Sequence, residues 1–206
     1  MNMSERAPTL RCRNGEKAAL PFSAAEYARR LAGLREVMAA RDLPAVLLTS
    51  MATVAYYSGF LYCGFGRPYG CVVTHDACTT ISANIDGGQP WRRSLGDNLV
   101  YTDWQRDNFW RAVHELVGAT PRLGIEADHL TLAQRDTLVE LLGARELVDV
   151  APALMAERMV KSAEEIALIR AGACIADIGG AAARAAILPG VRELDVAMVG
   201  RDMMER

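Results

Sequence analysis

Apolar side chains recur at Tyr27, Leu31, Leu34 and Met38, a three- and four-residue spacing that lines them along one face of a helix. Ser23 and Glu26 open this stretch at the distance where hydroxyl and carboxylate satisfy each other's free amides, so a helix is predicted from there to about Arg41. The run Ala45-Val46-Leu47-Leu48-Thr49 is apolar without alternation, as a strand buried on both faces requires. A second helix is predicted over residues 51–58, stopped by Gly59. Residues 71–73 and 78–82, separated by Thr74-His75-Asp76-Ala77, read as a hairpin. Strands predicted at 99–101, 123–125 and 147–150 then alternate with helices at 108–117 and 132–142. The pattern is that of an α/β layer on a mixed sheet.

Near Ala151 the strands stop. Residues 152–159 read as a helical turn, and Ser162-Ala163-Glu164-Glu165 is a second capping box, opening a helix of about 25 residues that ends before Pro189-Gly190. Leu194, Val196, Ala197, Val199 and Met203 mark one more helix running into the chain end. No strand after residue 151 covers these apolar faces. The expectation is therefore self-association through residues 166–187 or poor order beyond about residue 189, beside a compact domain over residues 23–150.

Composition narrows the setting. The 206 residues are 51% hydrophobic with a net charge of −2, and their strongest basic cluster is Arg92-Arg93, which argues against nucleic acid as a partner. No run approaches the roughly 18 to 20 uninterrupted apolar residues of a membrane span. The charged positions Glu5, Arg6, Arg11, Arg13 and Glu16 leave no room for the apolar core of a secretory signal, so a cytoplasmic protein without membrane attachment is expected. Five cysteines without a C-x-x-C pair read as free thiols. His75, His114 and His129 are too scattered for a metal site, and no metal or cofactor is expected. Asp103 and Asp107 flank Arg106 and read as solvated or ion-paired rather than as an acid/base pair.

The candidate chemistry lies in the loop Leu61-Tyr62-Cys63-Gly64-Phe65-Gly66-Arg67-Pro68-Tyr69-Gly70, where three glycines and a proline disfavour regular structure around one arginine. A guanidinium is a planar fork of donors that takes a carboxylate by two parallel bonds, and a phenylalanine offers a flat apolar wall. That combination suits a small zwitterion. On the residues alone a second reading stands beside it, in which the glycines serve a tight turn, Phe65 and Tyr69 are core, and Arg67 is solvated. A dinucleotide site is set aside, because Gly64, Gly66 and Gly70 miss the G-x-G-x-x-G spacing and Pro68 obstructs the helix that must follow.

The segment Tyr56-Tyr57-Ser58-Gly59-Phe60-Leu61-Tyr62-Cys63-Gly64-Phe65-Gly66-Arg67-Pro68-Tyr69 closely resembles the creatinases, of the pita-bread family that also holds prolidase and aminopeptidase P. Residues 11–15, 81–93, 101–108, 124–126, 161–165 and 175–182 extend the resemblance over nearly the whole chain. It implies an α/β fold: a creatinase/prolidase N-terminal domain over residues 1–155, then the initial helices of a pita-bread catalytic domain over residues 156–206, left incomplete. It further implies that the full-length enzyme hydrolyses creatine to sarcosine and urea as a homodimer. Phe65 and Arg67 would reach across the interface to hold substrate in the partner's site, Arg67 gripping the carboxylate. A histidine and glutamates beyond Arg206 would supply the proton transfer. None of the three histidines here aligns with that one, so no catalytic residue is expected in this chain, and the chain alone is expected to be inactive. Two other readings remain: the N-terminal domain of a metal-dependent Xaa-Pro peptidase, and a non-catalytic oligomerisation module.

Overall fold

The unbroken apolar run becomes β2 (Ala45–Leu48), buried at all four positions, with antiparallel β3 (Gly70–Thr74) on one side and parallel β6 (Arg122–Ile125) on the other. The computed structural model describes residues 6–63, 66–143 and 146–206. Around β2 the sheet is completed by β4 (Cys78–Ala83), β5 (Asp97–Tyr101), β7 (Glu146–Asp149) and a two-residue β1 (Thr9–Leu10), in the order β1-β5-β4-β3-β2-β6-β7. β1 pairs antiparallel with β5, which runs parallel to β4; β4 is antiparallel to β3, and β6 is parallel to β7. The sheet is mixed, as the alternating pattern predicts. β2, β4, β5 and β6 consequently run the same way, and their carboxyl ends share one edge.

Helices α1 (Ala24–Ala40), α2 (Met51–Ser58), α4 (Asn108–Val117), α5 (Leu132–Leu142) and α6 (Ala151–Met159) accompany the sheet, and α2 and α4 both pack on β3 and β4. Tyr27, Leu31, Leu34 and Met38 of α1 are all buried, as their spacing requires. At its head Ser23 Oγ accepts from Glu26 N at 3.1 Å, while the Glu26 carboxylate itself receives Arg29 and Arg30.

The charged segment ahead of α1 is tied to the sheet. β1 lies within it, and beyond β1 Arg11 and Arg13 both reach Asp97 at the start of β5, Arg13 Nη2 at 2.6 Å. Lys17 Nζ donates to the carbonyls of Trp91, Ser94 and Gly96 and lies 4.7 Å from the Trp91 ring. Trp91 sits on the short α3 (Gln89–Arg92), which the sequence pattern also misses because four residues are too few to show a period.

The chain divides into two compact units, residues 1–159 and 160–206. The second is a helical hairpin of α7 (Ala163–Ala186) and α8 (Glu193–Glu205). Ser162 and Glu165 form the predicted capping box. The residues beyond 189 are a helix packed on α7, not the poorly ordered tail that was one of the two expectations. The 24 residues of α7 reach a mean hydropathy of 1.5 over a stretch of 18, although no uninterrupted apolar run of that length occurs in it. By length and composition it is apolar enough to cross a membrane, since Arg170 and Asp177 break its apolar run without lowering its average enough. Arg170, Asp177 and Arg184 recur at seven-residue intervals, so they line one face that a span would have to shield from lipid.

Candidate functional site

The loop from residue 61 to 69 joins α2 to β3 at the edge where β2, β4, β5 and β6 end, the edge at which open α/β sheets bind ligands. Its described residues are held by aromatic side chains. Tyr62 and Tyr69 stack with ring centroids 4.8 Å apart and planes 14° from parallel, and Phe60 leans on both at 6.2 and 6.4 Å. The Tyr62 hydroxyl donates to the Thr49 carbonyl at 2.7 Å, just past the end of β2. The Tyr69 hydroxyl donates to the Asp86 carboxylate, in the turn after β4. From the last residue of β5, the Tyr101 hydroxyl donates to the Pro68 carbonyl at 2.9 Å. Gly66 supplies the left-handed backbone, with φ of 71°, that turns the chain into Arg67.

Burial pushes the Tyr62 phenol up to about 12, with the nearby Glu126 charge adding to the effect. Tyr69 and Tyr101 are raised further. Burial is the main cause in both, the hydrogen bond to Asp86 adds at Tyr69, and the positive charge of Arg67 opposes the rise at both. All three phenols therefore stay protonated and donate at neutral pH.

Between these anchors Arg67 is half-buried, and it makes no hydrogen bond or ion pair with the described residues. It lines a cavity of about 320 Å³ together with Phe60, Tyr62, Tyr69, Asp86, Gln89 and Arg93. It also borders a second cavity of about 370 Å³, shared with Thr49, Trp110, His129 and Gln134. A half-buried guanidinium without a partner is an open fork for a carboxylate or similar anion. Stacked phenol rings give a flat wall, while the Asp86 carboxylate is taken up by the Tyr69 hydroxyl. The first cavity therefore has the parts to hold the carboxylate end of a small planar ligand.

Phe65, the other predicted contact, lies outside the described residues. Asp86 and Tyr101 are not singled out by the sequence, which shows Tyr101 only as the end of a strand at 99–101. Their roles arise from contacts 17 and 33 residues away along the chain, for which no local pattern exists. The described residues lining the first cavity include no histidine. His75, His114 and His129 are exposed, and His129 Nδ1 lies 3.0 Å from the Thr49 hydroxyl. Asp103 and Asp107 do not form a working pair, since Asp103 caps the turn at Gln105 N and stands 4.0 Å from Arg106 Nε.

At the carboxyl end of β6, Glu126 braces the same edge. Its buried carboxylate accepts from the backbone amides of Thr49 and Ser50 at 2.6 and 2.9 Å and from the hydroxyls of Ser50 and Thr53 at 2.7 Å each. It ties the start of α2 to β6 and leaves the α2 N-terminus no vacancy for an outside anion.

The sequence profile of the creatinase/prolidase N-terminal domain matches residues 30–160. A creatinase from Bacillus sp. (strain B-0618) is 51% identical over 196 residues, covering 93% of this chain and 48% of that protein. Among solved structures, the prolidase of Pyrococcus horikoshii superposes with a TM-score of 0.70 at 23% identity, covering 86% of this chain and 48% of its own. Pyrococcus furiosus prolidase gives 0.71 at 23% identity, covering 85% and 52%. At that identity the prolidases show the shared fold alone. This chain spans about half the length of the curated relatives that it matches.

Proposed function

This chain belongs to the creatinase/prolidase N-terminal domain family, and we propose that it is the N-terminal portion of a creatine amidinohydrolase, in which Arg67 and Phe65 bind substrate. Water adds at the guanidino carbon of creatine, the bond from that carbon to the methylated nitrogen breaks, and sarcosine and urea leave. In this reading Arg67 grips the creatine carboxylate in the active site of the partner subunit of a homodimer, and residues outside these 206 move the protons. The observation that carries it is the 51% identity to the Bacillus creatinase over nearly the whole chain. The geometry supports it, since Arg67 has no hydrogen-bond or ion-pair partner among the described residues and stands beside stacked aromatic rings. Five free cysteines support a cytoplasmic setting.

The test is creatine-dependent urea release by the natural product of the gene, with and without a chelator. Chelator-insensitive release is expected; cleavage of an Xaa-Pro dipeptide that the chelator abolishes would assign the chain to the peptidases instead. Within the active enzyme, Arg67→Ala should raise KM by about 10- to 150-fold, the equivalent of roughly 1.5 to 3 kcal/mol for a charged hydrogen bond, with thermal stability unchanged. An unaltered KM and kcat would remove Arg67 from the site.

A further inference from the structure

Arg67 carries a charge that must stay available, yet it lines the same cavity as Asp86, a carboxylate able to neutralise it. The Asp86 carboxylate is engaged elsewhere, by the Tyr69 hydroxyl, which donates to its Oδ2. One residue back, the Pro68 carbonyl is held by the Tyr101 hydroxyl at 2.9 Å. The Tyr69 ring is fixed in turn by its stack on Tyr62, whose own hydroxyl is tied to Thr49 at 2.7 Å. Both residues that follow Arg67 are thus anchored, to the end of β5 and to the turn after β4, while the guanidinium between Gly66 and Pro68 has no partner among the described residues.

Resting on the reading of Arg67 as the carboxylate grip, we propose that Tyr69 and Tyr101 are positioning residues for substrate binding. Tyr101 fixes the backbone beside Arg67. Tyr69 occupies Asp86, so that the arginine fork stays open for substrate instead of closing on an internal ion pair. The proposal separates the two tyrosines by mechanism. Removing the Tyr101 hydroxyl loosens the loop; removing the Tyr69 hydroxyl also frees a competing carboxylate, and that second effect should vanish when the competitor loses its charge.

The experiment measures KM and kcat for creatine in the full-length enzyme. Tyr69→Phe is expected to raise KM about tenfold and Tyr101→Phe about threefold, with kcat within about twofold of wild type. Asp86→Asn placed in the Tyr69→Phe background should return KM to within about threefold of wild type. Tyr57→Phe serves as the structural control: its hydroxyl donates to Glu157 at 2.6 Å away from the loop, so it should lower Tm and leave KM unmoved. An unchanged KM in Tyr69→Phe, no recovery in the double variant, or an equal KM rise in Tyr57→Phe overturns the proposal. Amide hydrogen exchange on the 206-residue chain gives a reading that needs no turnover. Faster exchange confined to residues 66–70 is expected in Tyr69→Phe and Tyr101→Phe, and unchanged exchange there overturns the positioning role whatever the substrate. Failure of the wild-type enzyme to release urea, by contrast, sinks the functional reading and leaves the exchange result to decide on the loop.

Discussion

Glu26 and Glu126 are 6% and 3% exposed, and each compensates its burial differently. Glu126 is satisfied by amides and hydroxyls, Glu26 by two guanidinium groups. Arg29 bonds it through Nε and Nη2 at 3.0 and 2.8 Å, and Arg30, itself buried, bonds it at 2.8 Å while lying 4.0 Å from the Phe22 ring and 4.2 Å from that of Tyr56. The Arg29 hydrogen bond chiefly, with Arg30 assisting against burial, lowers the Glu26 carboxyl to about 2. Its folded value thus lies below the unfolded one of about 4.3, so the stabilisation is fully present above that value and is lost as pH falls toward 2. Glu26→Gln should therefore lower Tm at pH 7 by an amount equivalent to roughly 3 kcal/mol. The gap to wild type should close between about pH 4.3 and 2. Thermal scans across that range check it, and a gap independent of pH would show that packing, not charge, is what Glu26 contributes. The sequence reading found the buried apolar face of α1 but gave no hint that Arg30 is buried too. Period locates a face; it does not reveal that two rings from elsewhere, Phe22 and Tyr56, close over a charge on it.

At the scale of elements, legibility followed length. α1, α7 and α8 were visible because several turns repeat a pattern and a serine marks two of the starts, whereas β1 and α3 are shorter than any period they might display. What no pattern displayed is how α7 meets α8. Gly179 is buried there: a methyl group on it would sit 2.5 Å from Met204 Cγ and 3.2 Å from the Gly200 carbonyl. Gly180, one residue on, has nothing within 4 Å. The two glycines should answer substitution with opposite signs. Gly180→Ala removes backbone freedom from an exposed helical position and should stabilise the hairpin by about 1 kcal/mol. Gly179→Val must displace both Met204 and a backbone carbonyl, so it should loosen α8 from α7 and speed amide exchange across 193–205. Equal behaviour of the two variants would mean that the hairpin does not depend on this close approach.

For the whole molecule, helix and strand alternation predicted a mixed sheet and the structure has one, but the strand order was out of reach. Nothing local says that β2 pairs with β6, some 80 residues on, since every buried strand presents the same apolar face to a prospective neighbour. The two units also differ in what they leave bare. Most large apolar side chains among the described residues of the first unit converge on one core built around the sheet, with Leu61, Ile85 and Leu132 among those left exposed. In residues 160–206, Ile166, Ile169, Ile175 and Ile178 on α7 and Leu194, Met198 and Met203 on α8 stay exposed. Covering apolar surface is worth about 25 cal/mol for each Å², so a few hundred Å² of such a face favours association by several kcal/mol before the entropy of joining two molecules is subtracted. In water the 206-residue chain should therefore self-associate through α7 and α8 in a concentration-dependent way, and a version ending at Met159 should remain monomeric. Sedimentation of the two side by side tests this. A monomeric longer chain whose amides across 166–187 are nevertheless fully protected would mean that these helices find cover within their own molecule, and the unpartnered face would then be no driver of assembly.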